Sequence, residues 1–170
     1  DSLRSLGVTD YLYYLYSMIS LENKKAPAFT LLDQDGVQHA LKDFLGKKVL
    51  LYFYPKDDTP GCTKEACLFR DRLNELKKKG VQVLGVSIDS VASHKKFAQK
   101  FSLNFPLLAD EEKKVVSAYG VWTEKSMFGK KYMGIQRDSF LIDETGTIVK
   151  HYMKVKPETH VDEVIVDVSV

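Results

Sequence analysis

The chain has 170 residues, 44% of them hydrophobic and 28% charged, with a formal net charge of +2. That length and balance fit one soluble domain with a core large enough to stand without staples, and the small net charge gives no steer toward nucleic acid. No run approaches the roughly 18 uninterrupted apolar residues of a membrane span, so a cytoplasmic setting is expected, with export left open by the unusual beginning.

That beginning, DSLRSLGVTDYLYYLYSMIS, puts Tyr11, Tyr13, Tyr14 and Tyr16 within six positions, alongside Asp1, Arg4 and Asp10. It fits neither a signal peptide nor a lipid-spanning helix. Residues 1–23 are read as an extension outside the core, with an aromatic arm that docks on the domain or on a second copy as the alternative. A monomer is expected, and a dimer through residues 1–20 is the competing arrangement.

The domain is expected over residues 24–170. After the lead-in NKKAPAF, the segments Phe29 to Leu32 and Val37 to Leu41 flank DQDG, whose Asp-Gly signals a β-hairpin. KKVLLYFY, residues 47 to 54, is a continuous β-rich run between Gly46 and Pro55, as a central strand buried on both faces requires. From Thr63 to Lys79 the period becomes helical, with Ala66, Phe69, Leu73 and Leu76 on one face and Gly80 as the stop. VQVLGVSI reads as a second buried strand, SVASHKKFAQKFS as a helix opening on Ser90, and EKKVVSAYG as a short third helix. IQRDSFLID and TIVKHYMK form a hairpin about Glu144-Thr145-Gly146. In the tail, Pro157 and the stripe Val161, Val164, Ile165 and Val168 favour a helix over the strand that the β-branched content suggests. This order of elements predicts an α/β fold, a sheet with parallel pairing at its centre and helices against it.

The two cysteines, Cys62 and Cys67, lie in YPKDDTPGCTKEAC. Two cysteines and four scattered histidines, His39, His94, His151 and His160, fall short of a structural zinc site, so no metal is expected and no cofactor motif is present. Burial as core thiols is the plain alternative. Against it, Cys62 follows a polar turn at the end of a buried strand and opens a helix, where free N–H groups and the helix dipole favour a thiolate. Residues five apart in an intact helix have Cα atoms roughly 8.7 Å apart by helix geometry, beyond the reach of a disulfide. A permanent bridge is therefore incompatible with the helix, and a transient one requires its first turn to unwind.

The run YFYPKDDTPGCTKEACLFRD closely resembles the active-site signature of peroxiredoxins of the Q type, the bacterioferritin comigratory proteins. The likeness extends over roughly residues 24 to 156, through LKDFLGK, SIDS, LLAD, AYGVW and GKKYMGIQRDSFLID. The resemblance implies a thioredoxin-like fold: a central mixed β-sheet flanked by helices, with an N-terminal β-hairpin. It further implies that Cys62 is the peroxidatic cysteine, attacking a hydroperoxide and becoming a sulfenic acid. Cys67 matches the resolving cysteine that closes an intramolecular disulfide, and thioredoxin or a similar thiol would be the reductant. Thr59 matches the hydroxyl that bonds peroxide and thiolate, Pro55 the shield of the pocket, and Arg137 the guanidinium that stabilises the thiolate. Glu65 matches an acid that holds this arginine.

Strand alternation through IQRDSFLID would put Ile135, Arg137, Ser139 and Leu141 on one face, where a charge must be paired or functional. Trp122 and Phe128 are expected in the core or at the pocket rim. Ser139 departs from the family's frequent threonine but keeps the hydroxyl. A one-cysteine cycle with an external thiol, and a thioredoxin-like disulfide or metal carrier, are the competing functions, the carrier being disfavoured by the lack of a C-x-x-C pair.

Overall fold

The structure, a computed structural model, describes residues 7–170. Helix α1 (Val8–Ile19) precedes the hairpin of β1 (Thr30–Leu32) and β2 (Gln38–Ala40). The central unit runs β3 (Lys48–Phe53), α2 (Pro60–Lys78), β4 (Val81–Ser87), α3 (Val91–Phe101) and β5 (Leu107–Ala109). It is followed by α4 (Lys114–Ala118), β6 (Trp122–Met127), β7 (Lys130–Ile135), β8 (Ser139–Ile142), β9 (Ile148–Tyr152) and α5 (His160–Val168). Seven strands form one mixed sheet in the order β2-β1-β5-β4-β3-β8-β9, with β3, β4 and β5 mutually parallel. β6 and β7 make a separate two-stranded sheet.

The unbroken apolar run of β3 is explained by its two covered faces. Leu50, Tyr52 and Tyr54 pack into one core with α2, α3 and α5, while Val49, Leu51 and Phe53 pack into the other with α4. Each such side chain contributes about 1.5–3 kcal/mol when fully buried, so a polar substitution on either face is costly. Gly85 faces Tyr52 across β3 and β4, and a Cβ there would lie 2.9 Å from the tyrosine ring. The aromatic platform beneath the site, Tyr52 stacked on Phe69 at 4.8 Å, depends on that glycine.

The parallel centre, the N-terminal hairpin and the closing hairpin of β8 and β9 are as expected, and the tail is the helix α5. Several expectations are corrected. α2 begins at Pro60 rather than Thr63, because proline suits the first helical position, where its missing N–H has no partner to lose. Arg137 is not on a strand: β7 ends at Ile135 and β8 starts at Ser139, so alternation breaks between them. Consequently Ile135 joins the core on one side of the sheet and Leu141 the core on the other. Trp122 packs at the core edge under Lys113, but Phe128 is 98% exposed at the tip of the β6–β7 hairpin. That hairpin and the short strand β5 carry no periodic signal in the sequence, being polar in one case and three residues long in the other.

Residues 1–6 of the expected extension lie outside the described residues, whereas residues 8–19 form α1, whose apolar side chains are exposed. The body grips the chain from Ser20 onward, for Ser20 is buried and the Glu22 carboxylate accepts the His151 amide at 3.0 Å. Among the described residues no helix is long and apolar enough to cross a membrane.

Candidate active site

The chain leaves β3 through Tyr54 and Pro55 and enters α2 at Thr59, the N-cap. This loop is anchored by a buried carboxylate. Asp57 accepts hydrogen bonds from the Tyr54 hydroxyl at 2.6 Å and the Ser93 hydroxyl at 2.8 Å, and its second oxygen lies 2.7 Å from His94 Nδ1. The Asp57 amide donates to Asp89 at 2.9 Å. Asp57, Asp89 and His94 thus cluster within 4.8 Å, but their polar atoms are taken up by one another and by Tyr54, Ser87, Ser93 and the Leu108 carbonyl. No sequence signal separates Asp57 from its neighbour Asp58, which is exposed and pairs with Lys100.

Past this anchor the helix begins abruptly. Thr59 caps the backbone without using its side chain, since its hydroxyl donates to the Lys56 carbonyl at 2.8 Å, which leaves its lone pairs to accept. The first intrahelical bond runs from the Thr63 amide to the Thr59 carbonyl, so Cys62 sits in the first turn, where amides have no intrahelical acceptor. Cys62 is 1% exposed, packed in the core cluster with Tyr52, Tyr54 and Phe69. The thiol is therefore both buried, as the plain reading had it, and placed at a positive helix end.

Arg137 reaches this sulfur from the other side. Residues 136–138 are fixed by three backbone bonds: Val155 donates to the Arg137 carbonyl at 2.9 Å, Phe53 donates to the Asp138 carbonyl at 2.9 Å, and the Gln136 amide donates to the Val121 carbonyl at 2.8 Å. The Asp138 carboxylate tightens the same connection by accepting from the Lys154 amide and Gln136 and by meeting His151 Nε2 at 2.8 Å. From that platform Arg137 Nη2 donates to Cys62 Sγ at 3.4 Å, and Nη1 to Glu65 Oε1 at 3.4 Å. Gly61 leaves the guanidinium room, because a Cβ there would lie 3.2 Å from Nη2 and 3.5 Å from Pro157. Ser139 holds His160 Nε2 at 2.7 Å, a structural bond behind the arginine.

Glu65 is wholly buried one turn after Cys62, and its Oε2 has no partner among the described residues. Burial pushes its carboxyl up to about 7, an effect that the Arg137 charge and hydrogen bond only partly offset. Burial on its own would lower the Arg137 pKa, but Glu65 and Cys62 outweigh it and hold the guanidinium firmly protonated. The trio is therefore a thiol, a cation and a carboxylate with little net charge to spare.

Cys67 lies on α2 a further turn along, half-buried, and both thiols are free. The helix runs unbroken through both positions, which puts their Cα atoms about 8.7 Å apart by helix geometry. Structure thus brings together Cys62, Glu65 and Arg137, with Thr59 and Pro55 on the adjoining loop, and holds Cys67 away. A cleft of about 480 Å³ opens beside Arg137, walled by the β6–β7 hairpin and by Lys154 and Val155.

Comparison with known proteins identifies the family. The AhpC/TSA family profile matches residues 23–151. The putative peroxiredoxin Bcp of Coxiella burnetii is 56% identical over 142 residues, covering 84% of this chain and 94% of that protein. Peroxiredoxin Bcp of Escherichia coli K12 is 53% identical over 140 residues, covering 82% and 90%. Among solved structures, the Xanthomonas campestris bacterioferritin comigratory protein superposes with a TM-score of 0.79 at 40% identity, over 83% of this chain and 90% of that one. That protein was solved in trapped intermediate and ligand complexes bearing on alkyl peroxide reduction.

Proposed function

The chain belongs to the AhpC/TSA family, as a thioredoxin-like peroxiredoxin of the Bcp or Q type and hence a thiol peroxidase, and on that footing we propose which residues carry its cycle. The Cys62 thiolate attacks the terminal oxygen of a hydroperoxide, hydrogen peroxide or an organic one. An S–O bond forms, the O–O bond breaks, and the departing alkoxide or hydroxide takes a proton from water. Sulfur is oxidised to sulfenic acid as the peroxide is reduced. Cys67 then attacks the sulfenic sulfur, forming the disulfide and releasing water, and thioredoxin or a similar dithiol reduces it by exchange.

The observation that carries this reading is the hydrogen bond from Arg137 to a buried thiol in the first turn of a helix. A thiolate there is stabilised by the guanidinium and by unpaired amides, and it is the nucleophilic form. Thr59 accepts the peroxide O–H, Pro55 screens the pocket from bulk water, and Glu65 orients Arg137. Because Cys67 is out of reach along an intact helix, resolution proceeds through unwinding of the first turn of α2. A cytoplasmic site suits a cycle whose reductant is kept as a dithiol.

We assign residues 24–170 to the peroxidase domain and residues 1–23 to an appendage on a monomer, tied to the body through Ser20 to Asn23, since α1 contributes no residue to the core clusters described. Peroxide-dependent consumption of reduced thioredoxin tests both points. Wild type and a chain lacking residues 1–19 turn over equally and run as monomers. Cys67→Ser stalls with thioredoxin after one turnover but continues with a small thiol. Equal thioredoxin-dependent rates for Cys67→Ser and wild type would establish a one-cysteine cycle. Disulfide exchange without peroxide turnover would establish a carrier. A halved mass on removing residues 1–19 would establish a dimer through the arm.

A further inference from the structure

The charges around Cys62 are not accounted for by Arg137 alone. Glu65, on the same helix, accepts from Nη1 at the 3.4 Å at which the sulfur accepts from Nη2, so in its ionised form the carboxylate offsets part of the field that Arg137 exerts on the thiolate. A second cation lines the cleft beside Arg137. Lys125, on β6, is half-buried, and its stem crosses the neighbouring strand β7, where a Cβ at Gly134 would lie 3.1 Å from its Cδ. That packing orders the stem, and Lys125 lines the same cleft as Arg137.

Lys125 differs from the lysines around it. Lys131, on the same hairpin, pairs with Glu124 at 3.5 Å, and Lys154 is exposed at a turn. Among the described residues no carboxylate lies within salt-bridge distance of Lys125. Burial is the main influence lowering its pKa, the Arg137 charge adds to this, and Cys62 acts the other way. The lysine is thus electrostatically coupled to both the sulfur and the arginine.

We propose that Lys125 is a positioning residue of the peroxidase site: the uncompensated cation that favours the Cys62 thiolate and draws anionic reactants through the cleft beside Arg137. This rests on Cys62 being the reactive thiol: Arg137 bonds the sulfur directly, Tyr52 packs with it in the core and feels its charge, as Lys125 does from the cleft, and Glu65 acts on it through Arg137. The role is electrostatic and acts through the field, so it needs the charge at this position more than the shape of lysine.

Alkylation separates this from a merely structural role. In a Cys67→Ser background, the rate with neutral iodoacetamide reports the thiolate, and the ratio of iodoacetate to iodoacetamide rates reports attraction of anions. Lys125→Gln keeps most of the stem. It is expected to slow iodoacetamide and to lower the ratio about threefold to tenfold at low salt, the deficit shrinking near 1 M salt, where screening acts within about 3 Å. Lys125→Arg restores both. A Lys125→Gln protein with unchanged circular dichroism and an unchanged ratio overturns the proposal, as does failure of Lys125→Arg to rescue. If Cys62 in the Cys67→Ser protein with Lys125 intact reacts no faster than a free thiol, the peroxidase assignment of Cys62 fails instead.

Discussion

A Cys62→Ser variant is expected to lose peroxide reduction by at least about 10³-fold in stopped-flow measurements, the scale seen when a nucleophile is removed. The change is small in volume and preserves an acceptor for Arg137 Nη2, so the first turn of α2 should remain folded. What disappears is ionisation: a serine hydroxyl stays protonated where the thiol gives a polarisable thiolate. Unfolding midpoints within about 1.5 kcal/mol of wild type would place the loss in chemistry rather than folding. Wild-type peroxide consumption by the serine variant would remove Cys62 from the mechanism.

The second large effect is expected from Arg137→Met, which removes a cation shared by two acids. Loss of the donor to Cys62 should slow the peroxide step about 10²-fold or more, as with other charge-stabilising groups. Stability changes as well, through Glu65. Its carboxyl titrates near 7 in the fold against an ordinary 4.5, so the native state binds the extra proton. The stabilisation this brings is fully present below about pH 4.5 and is lost as pH rises through about 7, a swing of ~3 kcal/mol. Without Arg137 the carboxyl should protonate more readily still, carrying that loss to higher pH. Glu65→Gln in the Arg137→Met background should recover stability at neutral pH without recovering activity. Denaturant midpoints across pH 4–9 check this, and a flat profile for Arg137→Met would contradict the buried pairing.

Much of this site was legible because strong local signals coincide. The unbroken run KKVLLYFY fixed the centre of the sheet, and Pro60 with Gly61 marked the turn into a helix that carries both cysteines. Arg137 stands out in the sequence through resemblance, not through strand alternation, which fails where the chain leaves β7 and crosses to β8. Its placement comes from backbone bonds that residues 136–138 make to Phe53, Val121 and Val155, contacts that no periodicity reveals. The same limit hid Asp57, identical in type to Asp58 but buried against α3, and Lys125, one lysine among many until Gly134 and Arg137 lie beside it. Phe128 shows the converse limit, since an aromatic ring expected in the core or at the pocket rim is exposed by a hairpin turn.

The most direct test of the account is one equivalent of hydrogen peroxide added to the reduced wild-type protein, followed by peptide mapping and amide hydrogen exchange. The expected product is a single chain carrying a Cys62–Cys67 disulfide, with protection lost over residues 60–67 and retained in β3 and β4. A disulfide formed with the first turn of α2 still fully protected, or a stable sulfenic acid on Cys62 beside a free Cys67, would contradict resolution by local unwinding.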